Sequence, residues 1–105
     1  GYCVGGSIAW LAAHEQAFAA VVSYYGKDIV DFLNRKPACP IIQHFGSLDK
    51  LITADDEAKI KAAFPELGIF TYHASHGFDD VERGYPEATD EARKRSLAFL
   101  REHLG

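Results

Sequence analysis

The sequence predicts an α/β fold in which parallel strands alternate with flanking helices. Three apolar stretches rich in β-forming residues recur along the chain, at 18–24, 40–45 and 68–74, and helical or loop sequence follows each of them. A strand, a helix and a second strand in succession form a right-handed crossover, which makes the two strands parallel. With 105 residues the chain is one domain at most.

Helices are predicted in the segments between these strands. Apolar residues at positions 8, 11 and 12 have helical spacing and favour a first helix over 7–13. A short helix is expected over 27–34, before two prolines interrupt the chain. Thr53 is a favourable N-cap for a helix that runs to Pro65, and Thr89 is expected to cap the last helix.

Composition narrows the class of protein. The chain is 48% hydrophobic and 25% charged, which is ordinary for a globular domain, and its net charge of −4 argues against a nucleic-acid partner. No apolar run approaches the roughly 20 residues that span a bilayer. The two cysteines, Cys3 and Cys39, do not form a disulfide framework, so a reducing cytoplasm is the expected compartment. No zinc-ligand spacing occurs, and neither a metal nor a cofactor is expected.

The first residues, Gly-Tyr-Cys-Val-Gly-Gly, have the G-x-nucleophile-x-G pattern of the α/β-hydrolase elbow, with Cys3 in the nucleophile position. Such an elbow is a tight turn between a strand and a helix, yet no strand precedes it here. We therefore expect residues 1–105 to form a partial domain, the C-terminal half of an α/β-hydrolase fold, whose N-terminal half is absent.

Two partners for this nucleophile follow in the chain order typical of α/β-hydrolases. Asp49 and His76 each come directly after a predicted strand. Because the carboxyl ends of parallel strands meet at one edge, we expect both side chains near Cys3. His76 would take the thiol proton and Asp49 would hold its imidazole, while the backbone amide of Val4 would stabilise an oxyanion.

Taken singly, these residues have simpler interpretations. Cys3 alone is as easily a buried inert thiol, Asp49 a polar turn residue and His76 a solvated loop histidine. The catalytic interpretation depends on all three occurring together.

Several motifs make the chain similar to the dienelactone hydrolase family over essentially its whole length. Gly-Tyr-Cys-Val-Gly-Gly resembles the nucleophile motif of that family, Tyr-Tyr-Gly at 24–26 its tyrosine turn, and the segments at 44–49 and 76–78 its acid and histidine loops. The resemblance implies a Cys3, Asp49 and His76 triad that cleaves esters or lactones. It also implies that Tyr24 lines the substrate pocket.

The resemblance has one departure near the site. Members that cleave dienelactone carry a substrate-binding arginine shortly after the catalytic histidine. Asp80 occupies that position here and Arg83 lies three residues further on, so an acidic substrate is not expected.

Two functional hypotheses follow from the sequence. The first is a hydrolase of small ester or lactone substrates that forms a thioester on Cys3. The alternative is a non-catalytic half-domain that acts as an assembly or binding unit and self-associates through an exposed sheet edge. A redox-active thiol is a third possibility, which the lack of a nearby resolving cysteine disfavours.

Overall fold

A computed structural model describes residues 1–14, 18–34 and 36–104. It contains a three-stranded parallel sheet in the order β1 (Val21–Tyr24), β2 (Ile41–Gly46) and β3 (Gly68–Tyr72). The helices are α1 (Val4–Ala12), α2 (Ala54–Ala63) and α3 (Pro86–Leu104), and short 3₁₀ turns occur at Ile29–Asp31 and Val81–Arg83. The predicted alternation of parallel strands and helices is therefore confirmed.

Side chains alternate between the two faces of this sheet, as the pleat of a strand requires. On one face, Ser23 of β1 contacts α1 and Thr71 of β3 contacts α2. On the other face, Tyr24 and His44 are hydrogen-bonded to Ser96 of α3. The sheet thus lies between α3 and the pair α1 and α2.

The boundaries of three elements differ from the sequence prediction. Helix α1 begins at Val4 rather than Ser7, although Gly5 and Gly6 are poor helix formers. Strand β1 begins at Val21, and the predicted helix over 27–34 is a single 3₁₀ turn. A segment this short cannot offset the cost of helix nucleation without a long packed face.

The two predicted helix caps have opposite outcomes. Thr53 caps α2, accepting a hydrogen bond from the Asp56 amide, while Asp56 accepts one from the Thr53 amide in a capping box. The prediction for Thr89 is wrong, because α3 already begins at Pro86. Proline suits the first helical turn, where its missing N–H has no partner to lose. The Thr89 hydroxyl instead donates to the Phe78 and Tyr85 carbonyls.

His44 lies at the centre of a buried hydrogen-bond network that ties α3 to the sheet. Its Nε2 is 2.8 Å from the Ser96 hydroxyl and its Nδ1 is 2.8 Å from the Tyr72 hydroxyl. The Ser96 hydroxyl gives its one hydrogen to the Ala92 carbonyl, 2.7 Å away, so His44 must donate to Ser96 through Nε2–H. Tyr72 then donates to Nδ1 and accepts from Arg95.

Protonation of His44 would break this arrangement. Burial of the ring, and secondarily the charge of Arg95, lowers the pKa of His44 from 6.5 to about 4. The unfolded chain therefore binds more protons than the folded chain between these two values. Stability from the neutral ring is complete above about pH 6.5 and is lost as the pH falls toward 4.

We expect acidification from pH 7 to pH 4 to lower the free energy of unfolding through this residue by about 3 kcal/mol. Urea titrations of the unchanged chain and of His44→Gln across this range measure the difference, because other titrating groups contribute equally to both. His73→Gln, which alters an exposed histidine, is the matched control. Parallel pH profiles for the unchanged chain and His44→Gln would contradict the prediction.

Candidate active site

Cys3 lies in a strained turn between an extended segment and α1. Its amide donates to the Tyr24 carbonyl at 3.1 Å, and Tyr2 forms a parallel bridge with Tyr24, so residues 1–3 run beside the end of β1. Cys3 has φ 53° and ψ −121° and is the N-cap residue of α1. A left-handed φ is costly for a residue with a Cβ, and such strain occurs mostly at functional sites.

Two close contacts of Gly6 create this turn. A Cβ at Gly6 would lie 2.5 Å from the Tyr24 carbonyl oxygen and 3.0 Å from Gly26. The Gly6 carbonyl also accepts a hydrogen bond of 2.9 Å from Ser23. The first turn of α1 therefore packs directly on the end of β1, at a distance that only glycine permits.

Asp49 lies in the loop after β2 and its carboxylate is completely engaged. Oδ1 accepts hydrogen bonds from the amides of Leu51 at 2.7 Å and Ile52 at 3.2 Å. Oδ2 lies 2.6 Å from Nδ1 of His76. The side chain of Asp49 is fully buried, so its orientation is set by these three partners.

His76 lies in the loop after β3, and the structure brings it to Asp49 as the sequence predicts. Because the carboxylate accepts the Nδ1 hydrogen, Nε2 is the basic nitrogen of the neutral ring. The side chain is 19% exposed, which leaves an edge of the ring accessible. A buried carboxylate that orients a partly exposed imidazole is the arrangement that general-base catalysis requires.

Tyr25 is a residue of this site that the sequence analysis did not single out. Its ring centroid lies 5.0 Å from that of His76. Burial, and then the charges of Asp79 and Cys3, raise the pKa of its phenol, although a hydrogen bond from the Asp79 amide opposes this. Tyr25 therefore packs against the imidazole of His76. The only sequence signal was its place in the Tyr-Tyr-Gly turn.

Tyr24, which the family resemblance assigns to the substrate pocket, is almost completely buried and also lines a groove of 330 Å³. It is 4% exposed, its hydroxyl lies 3.2 Å from that of Ser96, and its ring packs on those of Tyr2 and His44. Burial raises the pKa of Tyr24 to about 12, and the bond to Ser96 opposes the shift. Tyr24 is thus part of the α3 contact, while its neighbour Tyr25 faces His76.

Val4 is the first residue of α1 and is exposed. The first four amides of a helix have no partner within the helix, so the Val4 N–H has the position that the elbow motif assigns to an oxyanion donor. The Cys3 carbonyl, by contrast, is engaged by the amides of Gly6 and Ser7.

The charged residues after His76 have structural partners. The Asp79 carboxylate accepts hydrogen bonds from Arg93 of α3 at 3.1 and 3.5 Å. Asp80 caps the following 3₁₀ turn by accepting from the Glu82 amide. The Arg83 guanidinium packs on Gly77, where a Cβ would lie 3.3 Å from its Nε. A cation therefore lies beside the His76 loop.

Two further features concern only the part of the chain that the structure describes. Within residues 1–14, 18–34 and 36–104, no cluster of histidine, cysteine and acidic side chains could hold a metal ion. No helix in these same ranges has the length and apolar character needed to cross a bilayer.

A parallel sheet packed between helices on both faces, with a histidine–carboxylate pair in the loops after its strands, defines the chain as an α/β protein. The family model of the dienelactone hydrolase family matches residues 1–104. The chain belongs to this family.

Individual relatives agree with this assignment. A carboxymethylenebutenolidase of Pseudomonas sp. (strain P51) is 33% identical over 96% of this chain and 45% of its own length. The enzyme of the same name from Pseudomonas putida is 32% identical over 95% of this chain and 46% of its own. The chain thus spans about half the length of these relatives.

A solved structure shows the same fold. The crystal structure of a protein assigned as a dienelactone hydrolase, from Klebsiella pneumoniae, matches 93% of this chain and 48% of its own with a TM-score of 0.76. The sequence identity in this match is 25%. The predicted fold class, part of an α/β-hydrolase fold, is therefore confirmed.

Gly6 and Gly5 provide a matched test of the elbow. We expect Gly6→Ala to lower the free energy of unfolding by about 1–3 kcal/mol, because its Cβ would overlap the Tyr24 carbonyl, which is backbone and cannot rotate away. A Cβ at Gly5 meets nothing within 4 Å, so Gly5→Ala should be neutral or stabilising in α1. Urea denaturation of both variants measures this. Equal stabilities would show that α1 does not pack on β1 as described.

Proposed function

We propose that the complete protein hydrolyses a carboxylic ester or lactone through Cys3, His76 and Asp49, with a thioester intermediate. The observation that carries the proposal is the 2.6 Å hydrogen bond between His76 Nδ1 and Asp49 Oδ2. Both residues follow strands that end at the same sheet edge, where the strained Cys3 also lies. Family membership supports the same chemistry.

The first half of the reaction would acylate the thiol. His76 Nε2 takes the proton of Cys3, and the sulfur bonds to the substrate carbonyl carbon. The carbon–oxygen bond to the leaving alcohol then breaks, and that oxygen takes the proton from His76. Asp49 stays ionised throughout and stabilises the imidazolium, because the Leu51 and Ile52 amides hold its second oxygen.

The second half would release the acid. Water gives a proton to His76 and attacks the thioester carbon, and the carbon–sulfur bond breaks as the proton returns to the sulfur. In both halves a tetrahedral oxyanion forms. The exposed Val4 amide would donate one hydrogen bond to it, and a second donor is expected from outside the present 105 residues.

The substrate is expected to be uncharged. Asp80 stands where the family's substrate-binding arginine is expected and is engaged as a cap. The relatives are named for a butenolide substrate that carries a carboxymethylene group. We propose that this protein acts on small esters or lactones without that carboxylate, and that the 105-residue chain alone has weak or no turnover.

We expect p-nitrophenyl acetate to transfer one acetyl group to Cys3, detectable by intact-mass and peptide mass spectrometry. His76→Ala and Asp49→Asn should each slow this labelling by about 100-fold or more, since proton transfer from the thiol loses its base or the orientation of that base. Acylation measures the first chemical half alone, so it does not require turnover by the 105-residue chain.

Cys39→Ala is the matched control, because it removes the other thiol and should leave labelling unchanged. The hydrolase proposal fails if the Cys3→Ala variant of the complete protein hydrolyses esters as well as the unchanged protein does.

A second candidate function, self-association as an assembly unit, is favoured by the sheet edge. Three backbone hydrogen bonds join Gly1 and Cys3 to β1, two of them through Tyr24. Residues 1–3 therefore extend the sheet by a short fourth segment. Among the described residues no further strand pairs with the outer side of Tyr2, which is 52% exposed. A groove of 330 Å³ lies beside it, lined in part by Leu97 and Leu100. Unpaired edges with apolar neighbours recruit other chains, and we propose a second copy of this chain.

The groove beside this edge offers a test. Leu97 of α3 lines it and is 53% exposed. Sedimentation velocity at increasing concentration should show dimers or larger species, and Leu97→Lys should shift them toward monomer. Leu104→Lys, a similarly exposed change at the far end of α3, should have no effect. A monomer at all concentrations excludes this function.

A further inference from the structure

The loops after β2 and β3 are joined by their backbones as well as by the bond between Asp49 and His76. The Leu48 amide donates a hydrogen bond to the Ala74 carbonyl at 3.0 Å. This bond continues the parallel pairing of the two strands, whose register on β2 ends at Gly46. Backbone contacts therefore bring the two loops to a set spacing, and the side chains of Asp49 and His76 meet at that spacing.

Gly46, the last residue of β2, is a point of very close approach between these loops. A Cβ at Gly46 would lie 2.2 Å from the Ala74 carbonyl oxygen and 3.2 Å from the Ser75 oxygen. The first distance is about 1 Å shorter than an ordinary non-bonded contact allows. The φ of Gly46 is not positive, so an L-residue could adopt its backbone conformation. What this position excludes is therefore volume.

The loop after β2 is not free to move away. The Gly46 carbonyl accepts a hydrogen bond of 3.1 Å from the Asp49 amide, which closes a turn over 46–49. The carboxylate of Asp49 is held by the amides of Leu51 and Ile52, in the segment that leads into α2. Gly46 and this carboxylate thus belong to one hydrogen-bonded unit, so that a shift of the first displaces the second.

The loop after β3 is anchored on its other side by α3. Phe78, two residues after His76, is fully buried, and its carbonyl accepts a hydrogen bond of 2.7 Å from the Thr89 hydroxyl. Ala74 is also fully buried. Because both loops are held, added volume between them would open the 2.6 Å bond between His76 and Asp49 rather than shift the pair together.

We propose that Gly46 is a positioning residue of the hydrolase site, whose lack of a side chain, together with the Leu48 amide, sets the distance between the Asp49 carboxylate and the imidazole of His76. The inference rests on the proposed function. Gly46 acts only through these two side chains. The spacing matters because a misplacement of about 1 Å in a catalytic group can cost about 100-fold in rate.

The rate of acetylation of Cys3 by p-nitrophenyl acetate tests this role in the complete protein. We expect Gly46→Ala to slow this labelling by about 10- to 100-fold, since the imidazole of His76 loses its orientation. Mass spectrometry of the labelled peptide gives the rate at Cys3 alone. Gly68→Ala is the matched control in β3, because a Cβ there meets only two side-chain atoms, each at 3.6 Å, and should leave the rate unchanged.

The proton NMR signal of His76 Nδ1–H tests the geometry without any substrate. His76→Ala identifies this signal by removing it. The signal should be lost or moved upfield in Gly46→Ala, because a longer bond to Asp49 deshields the proton less, and it should persist in Gly68→Ala. Ser96→Ala breaks the buried network on the other face of the sheet, so it lowers stability but should leave the signal and the labelling rate unchanged.

Two outcomes would overturn the proposal. The first is an unchanged signal and labelling rate in folded Gly46→Ala. The second is an equal loss of both in Ser96→Ala, which would show that the two measurements follow stability alone.

A second variant covers the case in which Gly46→Ala does not fold. Incorporation of the α-hydroxy analogue of leucine at position 48 turns the Leu48 amide into an ester, which removes the bond to the Ala74 carbonyl without added volume. Labelling should slow by roughly 2- to 10-fold, the effect of losing one neutral hydrogen bond, and the Nδ1–H signal should move upfield. No change in either would overturn the proposal.

These experiments separate the role of Gly46 from the hydrolase function. Undiminished ester hydrolysis by the Cys3→Ala variant would refute the hydrolase function. Unchanged measurements in Gly46→Ala, while His76→Ala still slows the labelling, would refute the role of Gly46 alone.

Discussion

The close approach of α1 to the end of β1 determines most of what is distinctive in this chain. Gly6 and Gly26 permit backbone to touch backbone, with the Tyr24 carbonyl between them. Because the chain is confined there on both sides, Cys3 and Tyr25 adopt positive φ angles. The same contact places the thiol at the start of a helix, where unpaired amides and the helix dipole favour negative charge. One packing contact thus sets the backbone geometry of both Cys3 and Tyr25.

The sheet supplies the rest of the site by a simpler rule. Parallel strands present their carboxyl ends at one edge, so the loops after β2 and β3 meet there, and the Leu48 amide donates a hydrogen bond to the Ala74 carbonyl at 3.0 Å. The direct bond between Asp49 and His76 follows from this topology. Opposite this arrangement, the network around His44 fixes α3 on the other face of the sheet. The two polar clusters differ in exposure: the Asp49 and His76 pair is partly exposed, whereas the network around His44 is buried.

The sequence predicted the structure well where local residue preferences determine it. Alternating apolar stretches predicted the parallel strands, and Thr53 with Asp56 gave a cap that the structure contains. It was a poor guide where tertiary contacts decide. The sequence predicted that α1 begins at Ser7, after the glycines, yet α1 begins at Val4, and its packing on β1 requires a glycine at position 6. Thr89 has the side chain of a cap, but Pro86 begins α3 earlier.

In the site, motif order predicted Asp49 and His76, while adjacent tyrosines at 24 and 25 could not be told apart. Their contributions differ only because the sheet pleat sends one ring toward α3 and the turn sends the other toward His76.

The positions of the two thiols have a consequence for oxidative damage. Cys39 lies just before the start of β2. Cys3 lies beside Tyr24 of β1, which pairs with His44 near the end of β2. Along the strand direction the two cysteines are therefore five residues of extended chain apart, roughly 16 Å, which is well beyond the span of a disulfide. Internal cross-linking therefore cannot protect Cys3. A peroxide that reached it would leave a sulfenic acid, and recovery would depend on a small thiol from the surrounding solution.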